Sequence, residues 1–238
     1  MWSYRWRSPS DTPEAVAARL LRRKEYWMRG DGDGWSDSPG GVRHWGKYGA
    51  AGLLLRAPLP RGGSAVLLQH RAPWSHQGGT WAIPGGARDS HETPEHAAVR
   101  EAWEEAGITA DALRVRAELL TMTAPSGWTY TTVVADAESP LATVANRESS
   151  ELVWVPEDEV TDLPLHPGFA LAWQTLRAAP VRLRFAAEPV APDLPRTVEL
   201  DDRGFFWLHT QADGPGTEVT VGAEPADDLT AALTKLLS

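Results

Sequence analysis

The chain has no cysteine. That absence rules out disulfides, zinc–thiolate centres and thiol nucleophiles. Positive charge is also short: 23 Lys and Arg stand against 32 Asp and Glu, a formal net charge of −9. A general duplex-binding surface needs a basic stripe, so stable nucleic-acid binding is not expected. Long apolar runs are missing too, and none approaches the ~20 residues a helix needs to cross a bilayer. The opening MWSYRWRSPSD lacks the apolar core of a signal peptide. A cytoplasmic protein with no membrane partner is the expectation. What remains is ordinary: 42% apolar and 23% charged residues in 238, enough for one good core and a small second module.

Against that background, residues 86–108 stand out: GARDSHETPEHAAVREAWEEAGI. Thr93-Pro94 reads as a helix start, with Thr as N-cap and Pro where its missing N–H is not needed. Gly107 reads as the stop, because Gly takes the left-handed C-terminal conformation without strain. The helix between them is expected to bury Val99, Ala102, Trp103 and Ala106, which follow helical spacing. Glu101, Glu104 and Glu105 are then expected together on the opposite face. Like charges at that spacing repel by roughly 0.2–0.5 kcal/mol per pair. A cation is needed to hold them. Arg100, four residues before Glu104, is one. A hard, oxygen-seeking Mg²⁺ or Mn²⁺ is the other. Three glutamates alone would read as a solvated acidic face. The cap, the isolated Glu92, the Gly85-Gly86 turn and the terminal Gly107 in register favour metal.

Around this helix, AAGLLLR (50–56) and AVLLQHR (65–71) flank a turn and predict a hairpin. Trp81–Pro84 is a short strand leading into Gly85. Residues 113–123, 129–135 and 151–155 are further strands. His166-Pro167-Gly168 opens a second helix with apolar Phe169, Leu171, Ala172 and Leu176. Residues 13–29 predict an accessory basic helix, an ordinary one ahead of one contacting membrane or RNA. Residues 30–41, GDGDGWSDSPGG, predict a loop, whose tryptophan and acids are candidates for touching a base. Asp31 and Asp33 do not start a calcium loop, because its sixth and twelfth positions hold Ser36 and Val42. Residues 179–238 predict short strands with one hairpin turn at 201–204 and a final helix through Leu229, Ala232, Leu233 and Leu236.

Written as a pattern, the central stretch is G-x5-E-x7-R-E-A-x-E-E-x-G-I, with Gly86, Glu92, Arg100-Glu101, Glu104-Glu105, Gly107 and Ile108 in place. It resembles the signature of the Nudix hydrolases at every fixed position. The segments RGDGDGW, SHQGGTW and LPLHPGF resemble MutT-like members from actinobacteria. The resemblance covers 43–178 and implies an α/β/α sandwich around a mixed sheet. Residues 1–42 would then be accessory, and 179–238 a hairpin-and-helix extension.

The resemblance also implies roles. Glu104 and Glu105 match principal metal ligands, and Glu101 matches an acid that ligates metal or activates water. The carbonyl of Gly85 matches a further ligand. Arg100 is expected to orient the glutamates, and Glu92 to steady the loop or an outer metal shell. Glu148 is expected as a downstream base or extra metal ligand, with Glu151 second. Arg71 is a candidate for forking onto a phosphate. Trp128 and Tyr130 are candidates for stacking a base. The implied activity is Mg²⁺- or Mn²⁺-dependent cleavage of a nucleotide pyrophosphate bond. A (d)NTP pyrophosphohydrolase clearing 8-oxo-guanine nucleotides is the first reading. An ADP-ribose or dinucleotide pyrophosphatase is the second, and a catalytically idle nucleotide sensor the third. The partner is a small nucleotide, and a homodimer is left open.

Overall fold

A computed structural model describes residues 30–60, 63–184, 196–199, 204–211, 218–221 and 224–225. The predicted helices over 13–29 and through Leu229–Leu236 lie outside them. In chain order the strands are β1 (Trp35–Asp37), β2 (Arg43–Trp45), β3 (Ala50–Pro58), β4 (Ser64–Arg71), β5 (Trp81–Ala82) and β6 (Gly85–Ala87). Helix α1 (Pro94–Ala106) follows, then β7 (Arg114–Thr123), β8 (Thr129–Asp136) and β9 (Ser149–Pro156). Helix α2 (Pro167–Leu176) precedes β10 (Ala178–Arg184), β11 (Thr197–Glu199), β12 (Phe205–Gln211), β13 (Glu218–Val221) and β14 (Glu224–Pro225).

Strand β3 is the axis. One edge pairs antiparallel with β6 at Ala50–Gly52 and with β4 at Arg56–Pro58, while the other runs parallel to β8. β4 adds β5 and β9, and β8 adds β7, all antiparallel. The sheet is therefore mixed. Successive side chains of a strand point to opposite faces. Leu53, Leu55 and Ala57 accordingly pack with α1, and Leu54, Val66 and Leu68 with α2. Helices on both faces explain why β3 reads as a continuous apolar run. This is the expected α/β/α arrangement. Among the described residues no helix is long and apolar enough to cross a membrane.

Helix α1 begins and ends as its sequence predicts. The Thr93 hydroxyl accepts from the His96 N–H at 3.2 Å, and Gly107 takes φ 72° while its N–H caps the last turn. Its buried face is a correction. Ala97, Ala98, Ala102 and Ala106 pack against the sheet, whereas Val99 and Trp103 are half-buried beside a groove of about 520 Å³. Alanines let the helix lie close on β3, and an indole between them would prop it away. A second correction falls on α2, where Trp173 is buried with Phe169 and Leu176 while Leu171 is 82% exposed.

Two segments flank the sandwich. Residues 30–41 are not simply loop: β1 pairs with β2 through Trp35↔Trp45, Ser36↔His44 and Asp37↔Arg43, forming a hairpin. At the other end, β10 lies parallel to β12 in a separate five-stranded sheet. That sheet is tied to the core where Thr197 bonds Asp136 through both its N–H and its hydroxyl. Nearby the fully buried Arg56 pairs with Glu157 at 2.5 Å, donates to the Leu176 carbonyl and faces the Phe205 ring at 5.6 Å. A buried charge needs such partners, because desolvation is otherwise too costly.

Candidate active site

The site forms where β6 turns into the loop leading to α1. Glu105, expected on the outer face, is only 3% exposed and points into the seam between helix and sheet. Its carboxylate accepts from the Gly85 N–H at 2.8 Å and from the Gln69 amide at 3.0 Å. The same amide donates to the Ser149 hydroxyl at 2.8 Å. Strands β4, β6 and β9 thus fix one glutamate of α1. Gln69 was missed in the sequence. Its signal is a polar residue directly after Leu67-Leu68 in an otherwise apolar strand.

Arg100 is the second organiser. It donates to both oxygens of Glu92 (2.7 and 3.0 Å), to Glu101 at 2.7 Å, to Glu104 at 3.5 Å and to the Ala87 carbonyl at 2.8 Å. Glu92 in turn accepts from the Asp89 N–H at 3.0 Å, so the loop, the arginine and the helix lock together. Gly86 is where Glu101 rests. A β-carbon there would lie 2.5–2.8 Å from the Glu101 carboxyl group, so any other residue must push that group out of its place. Arg100 reaches three of the four box glutamates, leaving Glu105 to neutral donors.

The electrostatics follow. Burial, reinforced by Glu105, pushes the Glu101 carboxyl up to about 8 despite Arg100. Burial likewise raises Glu105 to about 7, with Glu148 adding to it. Burial also raises Glu104, against the pull of Arg100. For Glu92 the same penalty is outweighed by Arg100 and the Asp89 N–H, and its carboxyl falls below the ordinary value. Reciprocally, Glu92 and Glu101 raise Arg100 despite its own burial. The amide oxygen of Gln69, beside Glu105, is buried without a hydrogen-bond partner. Crowded carboxylates form an oxygen donor set short of positive charge. A hard divalent cation fits it.

Other candidates are placed as follows. Glu148 is exposed, and its charge acts on both Glu104 and Glu105. Glu151 sits on β9 in register with His70. Arg71, at the bulge between β4 and β9, donates to the His76 carbonyl at 3.1 Å and acts electrostatically on Glu105 and Tyr130. The Tyr130 hydroxyl lies against Gly52 and Gly85, on the floor of the site. Trp128 has one face covered by His44 (4.6 Å, 18°), and its indole N–H donates to the Gly46 carbonyl at 2.9 Å. Among the described residues, atoms of Asp31, Asp89 and His91 also gather within 4.8 Å. Asp89 there accepts from Gly32 N–H and Asp31 from Ser90 N–H, which ties the N-terminal segment to the loop before α1.

A family model described as the NUDIX domain matches residues 48–177. A Mycobacterium tuberculosis protein named "Putative 8-oxo-dGTP diphosphatase 3" is 61% identical over 185 residues, covering 76% of this chain and 85% of that protein. A Bifidobacterium longum protein, a nucleoside triphosphate pyrophosphatase/Nudix hydrolase fusion, is 42% identical over 62% of this chain and 31% of its own length. The crystal structure of a Nudix hydrolase from M. smegmatis, RenU, is 67% identical, with a TM-score of 0.58 over 60% of this chain and 91% of that one.

Proposed function

The chain belongs to the Nudix hydrolase family, whose members cleave nucleotide pyrophosphate bonds, and we propose that it is a Mg²⁺- or Mn²⁺-dependent nucleoside-triphosphate pyrophosphohydrolase of nucleotide-pool sanitation. In this reading the hydrolase unit is 43–178, and 1–42 and 179–238 are accessory segments. The observation that carries the chemistry is the buried Glu101–Glu105 pair, held against its own repulsion with Arg100 paired to Glu101 and Arg71 acting electrostatically on Glu105. The proposal of 8-oxo-dGTP as substrate is supported by the name of the mycobacterial relative.

In this reading Glu101, Glu104, Glu105 and the Gly85 carbonyl would hold the metal, and Mg²⁺ bound there would neutralise the diphosphate and lower the pKa of a bound water. Everything else falls to the chain. Arg100 keeps Glu101 and Glu104 turned toward the site, and Glu92 keeps Arg100 in place. Gly85 and Gln69 orient Glu105. Glu148, exposed and near both ligands, accepts the proton of the attacking water. Arg71 draws the anionic substrate toward Glu105's side of the cleft.

The test is a hydrolysis screen with Mg²⁺ over (d)NTPs, 8-oxo-dGTP, ADP-ribose, NADH and dinucleoside polyphosphates. Pyrophosphate release, fastest from 8-oxo-dGTP, is expected. A clear preference for ADP-ribose would overturn the substrate, and no turnover of any compound would overturn the enzyme.

A further inference from the structure

The β1–β2 hairpin precedes the stretch that the family model matches, yet it is fastened to the core that carries the site. Next to it, the Gly32 N–H donates to Asp89 at 2.7 Å and the Lys47 N–H to the Gly32 carbonyl at 2.8 Å. The Ser38 hydroxyl meets Ser126 at 2.7 Å, and the Trp128 indole holds Gly46. Asp89 comes from the loop before α1, and Ser126 and Trp128 from the turn between β7 and β8.

Two files of rings and polar groups then run from the hairpin to one carboxylate. In the first, His44 stacks on Trp128, Trp128 lies 6.3 Å from Tyr130, and the Tyr130 hydroxyl lies against Gly85, whose N–H holds Glu105. In the second, Trp35 stands edge-on to His76 at 5.8 Å. The His76 carbonyl accepts from Arg71, and Arg71 acts on Glu105. The hairpin spans the gap between the files.

Its outer residues are unlike those of a simple strap. Trp35 and Trp45 pair edge-on at 5.3 Å but stay 40% and 42% exposed. Arg43 lies over the Trp35 ring at 4.9 Å and pairs with Asp37 at 3.1 Å, both being largely exposed. Half-exposed indoles beside an anionic-substrate site offer π-faces to a base, and the Arg43–Asp37 pair offers donors and acceptors to its edge.

We propose that this hairpin is the nucleoside-binding roof of the site: the base of the nucleotide whose phosphates lie at Glu101, Glu104 and Glu105 sits in the corner between Trp35 and Trp45, face-on to one ring and edge-on to the other. This rests on the reading of the chain as a nucleotide pyrophosphohydrolase. Trp128 has a different part in it, propping the roof through His44 and Gly46.

Trp35→Ala and Trp45→Ala test the proposal, with Trp35→Phe and Trp45→Phe as ring-preserving partners. Three quantities are read: KM for 8-oxo-dGTP, the Kd of dGMP by calorimetry, and the inhibition constant of inorganic tripolyphosphate, which has no base. In the alanine variants KM and the dGMP Kd should rise about tenfold, within the range of one lost base–aromatic stack. The tripolyphosphate constant should stay within twofold, and the phenylalanine variants should recover most of the loss. Unchanged KM and Kd, or equal weakening of tripolyphosphate, would overturn the roof. A wild type that binds dGMP through these tryptophans but turns over no nucleotide would support the roof and refute the hydrolase reading. A wild type that neither binds nor cleaves nucleotides would overturn both.

Discussion

Removing metal should make the stability of this protein fall as pH rises through neutrality, and Glu101 sets the size of the effect. Its ordinary carboxyl value is 4.5, and burial beside Glu105 lifts it to about 8 in the folded chain. Between those values the unfolded chain has released a proton that the native chain still holds. Stability therefore falls with rising pH across that window, by about 1.4 kcal/mol per pH unit for each proton so held. His166 works the other way. Burial, with Arg71 and His76, lowers it from 6.5 to about 4, so its contribution grows with pH and is complete by 6.5. The clean interval for the two raised acids, Glu101 at about 8 and Glu105 at about 7, is therefore pH 6.5 to 8. Over it the metal-free protein should lose about 2 kcal/mol, which for a chain of this size is roughly 4–8 °C in Tm.

Calorimetric melts in EDTA at half-unit steps of pH measure this directly, with Glu101→Gln beside the wild type. The amide mimics the protonated acid, so the variant should be flatter across the interval and should melt higher than wild type at pH 8. Excess Mg²⁺ binds the native glutamates and should restore the wild type most where it has lost most. Parallel wild-type and variant melts from pH 6.5 to 8 would refute the burial argument. A Mg²⁺ effect as large in Glu101→Gln as in wild type would remove Glu101 from the metal site.

Glu104→Gln and Glu105→Gln should each abolish most turnover while the protein stays folded, checked by steady-state assay and circular dichroism; retained activity at saturating Mg²⁺ would defeat the ligand assignment. Gly86→Ala places a methyl against the Glu101 carboxyl group, and a kcat reduced at least tenfold with Tm within a few degrees is expected. Trp103→Ala should cost only about 1–2 kcal/mol in chemical denaturation, well short of the roughly 3–5 kcal/mol for a fully buried ring, since Trp103 sits at the rim of the groove. In ¹⁸O water, attack at the β-phosphorus should place label in pyrophosphate, leaving an unlabelled nucleoside monophosphate. Label in orthophosphate would mean that the γ-phosphoryl is removed instead.

The sequence was most legible where local chemistry and tertiary demand agree. Thr93-Pro94 and Gly107 bound α1 because a cap, a ring-locked φ and a left-handed φ are properties of those residues themselves. The strands showed through their apolar runs, since a sheet covered on both faces leaves little room for polar residues. Legibility failed where the partner lies far along the chain. Nothing near Trp35 announces that it pairs with Trp45, and nothing near Gln69 announces Glu105, 36 residues away. The exposed Leu171 and the buried Trp173 are the same failure at smaller scale. Helical spacing offers both, and only the shape of the sheet's second face decides between them.

The rotation of α1 shows why its amphipathic reading misleads at a site of this kind. Helical spacing sorts residues into a wet face and a dry one, and three glutamates naturally go to the wet side. Here the helix turns so that its alanines meet β3, and the glutamates straddle the seam. Glu105 points inward to Gly85 and Gln69, Glu104 stays largely outward, and Glu101 lies between them against Gly86. Spread in this way, the three can approach one cation from inside and outside the fold. The cost is two buried acids that resist ionisation. In the proposed reading that resistance ties metal binding at Glu101 and Glu105 to the stability of the domain, which the melts in EDTA and Mg²⁺ measure together.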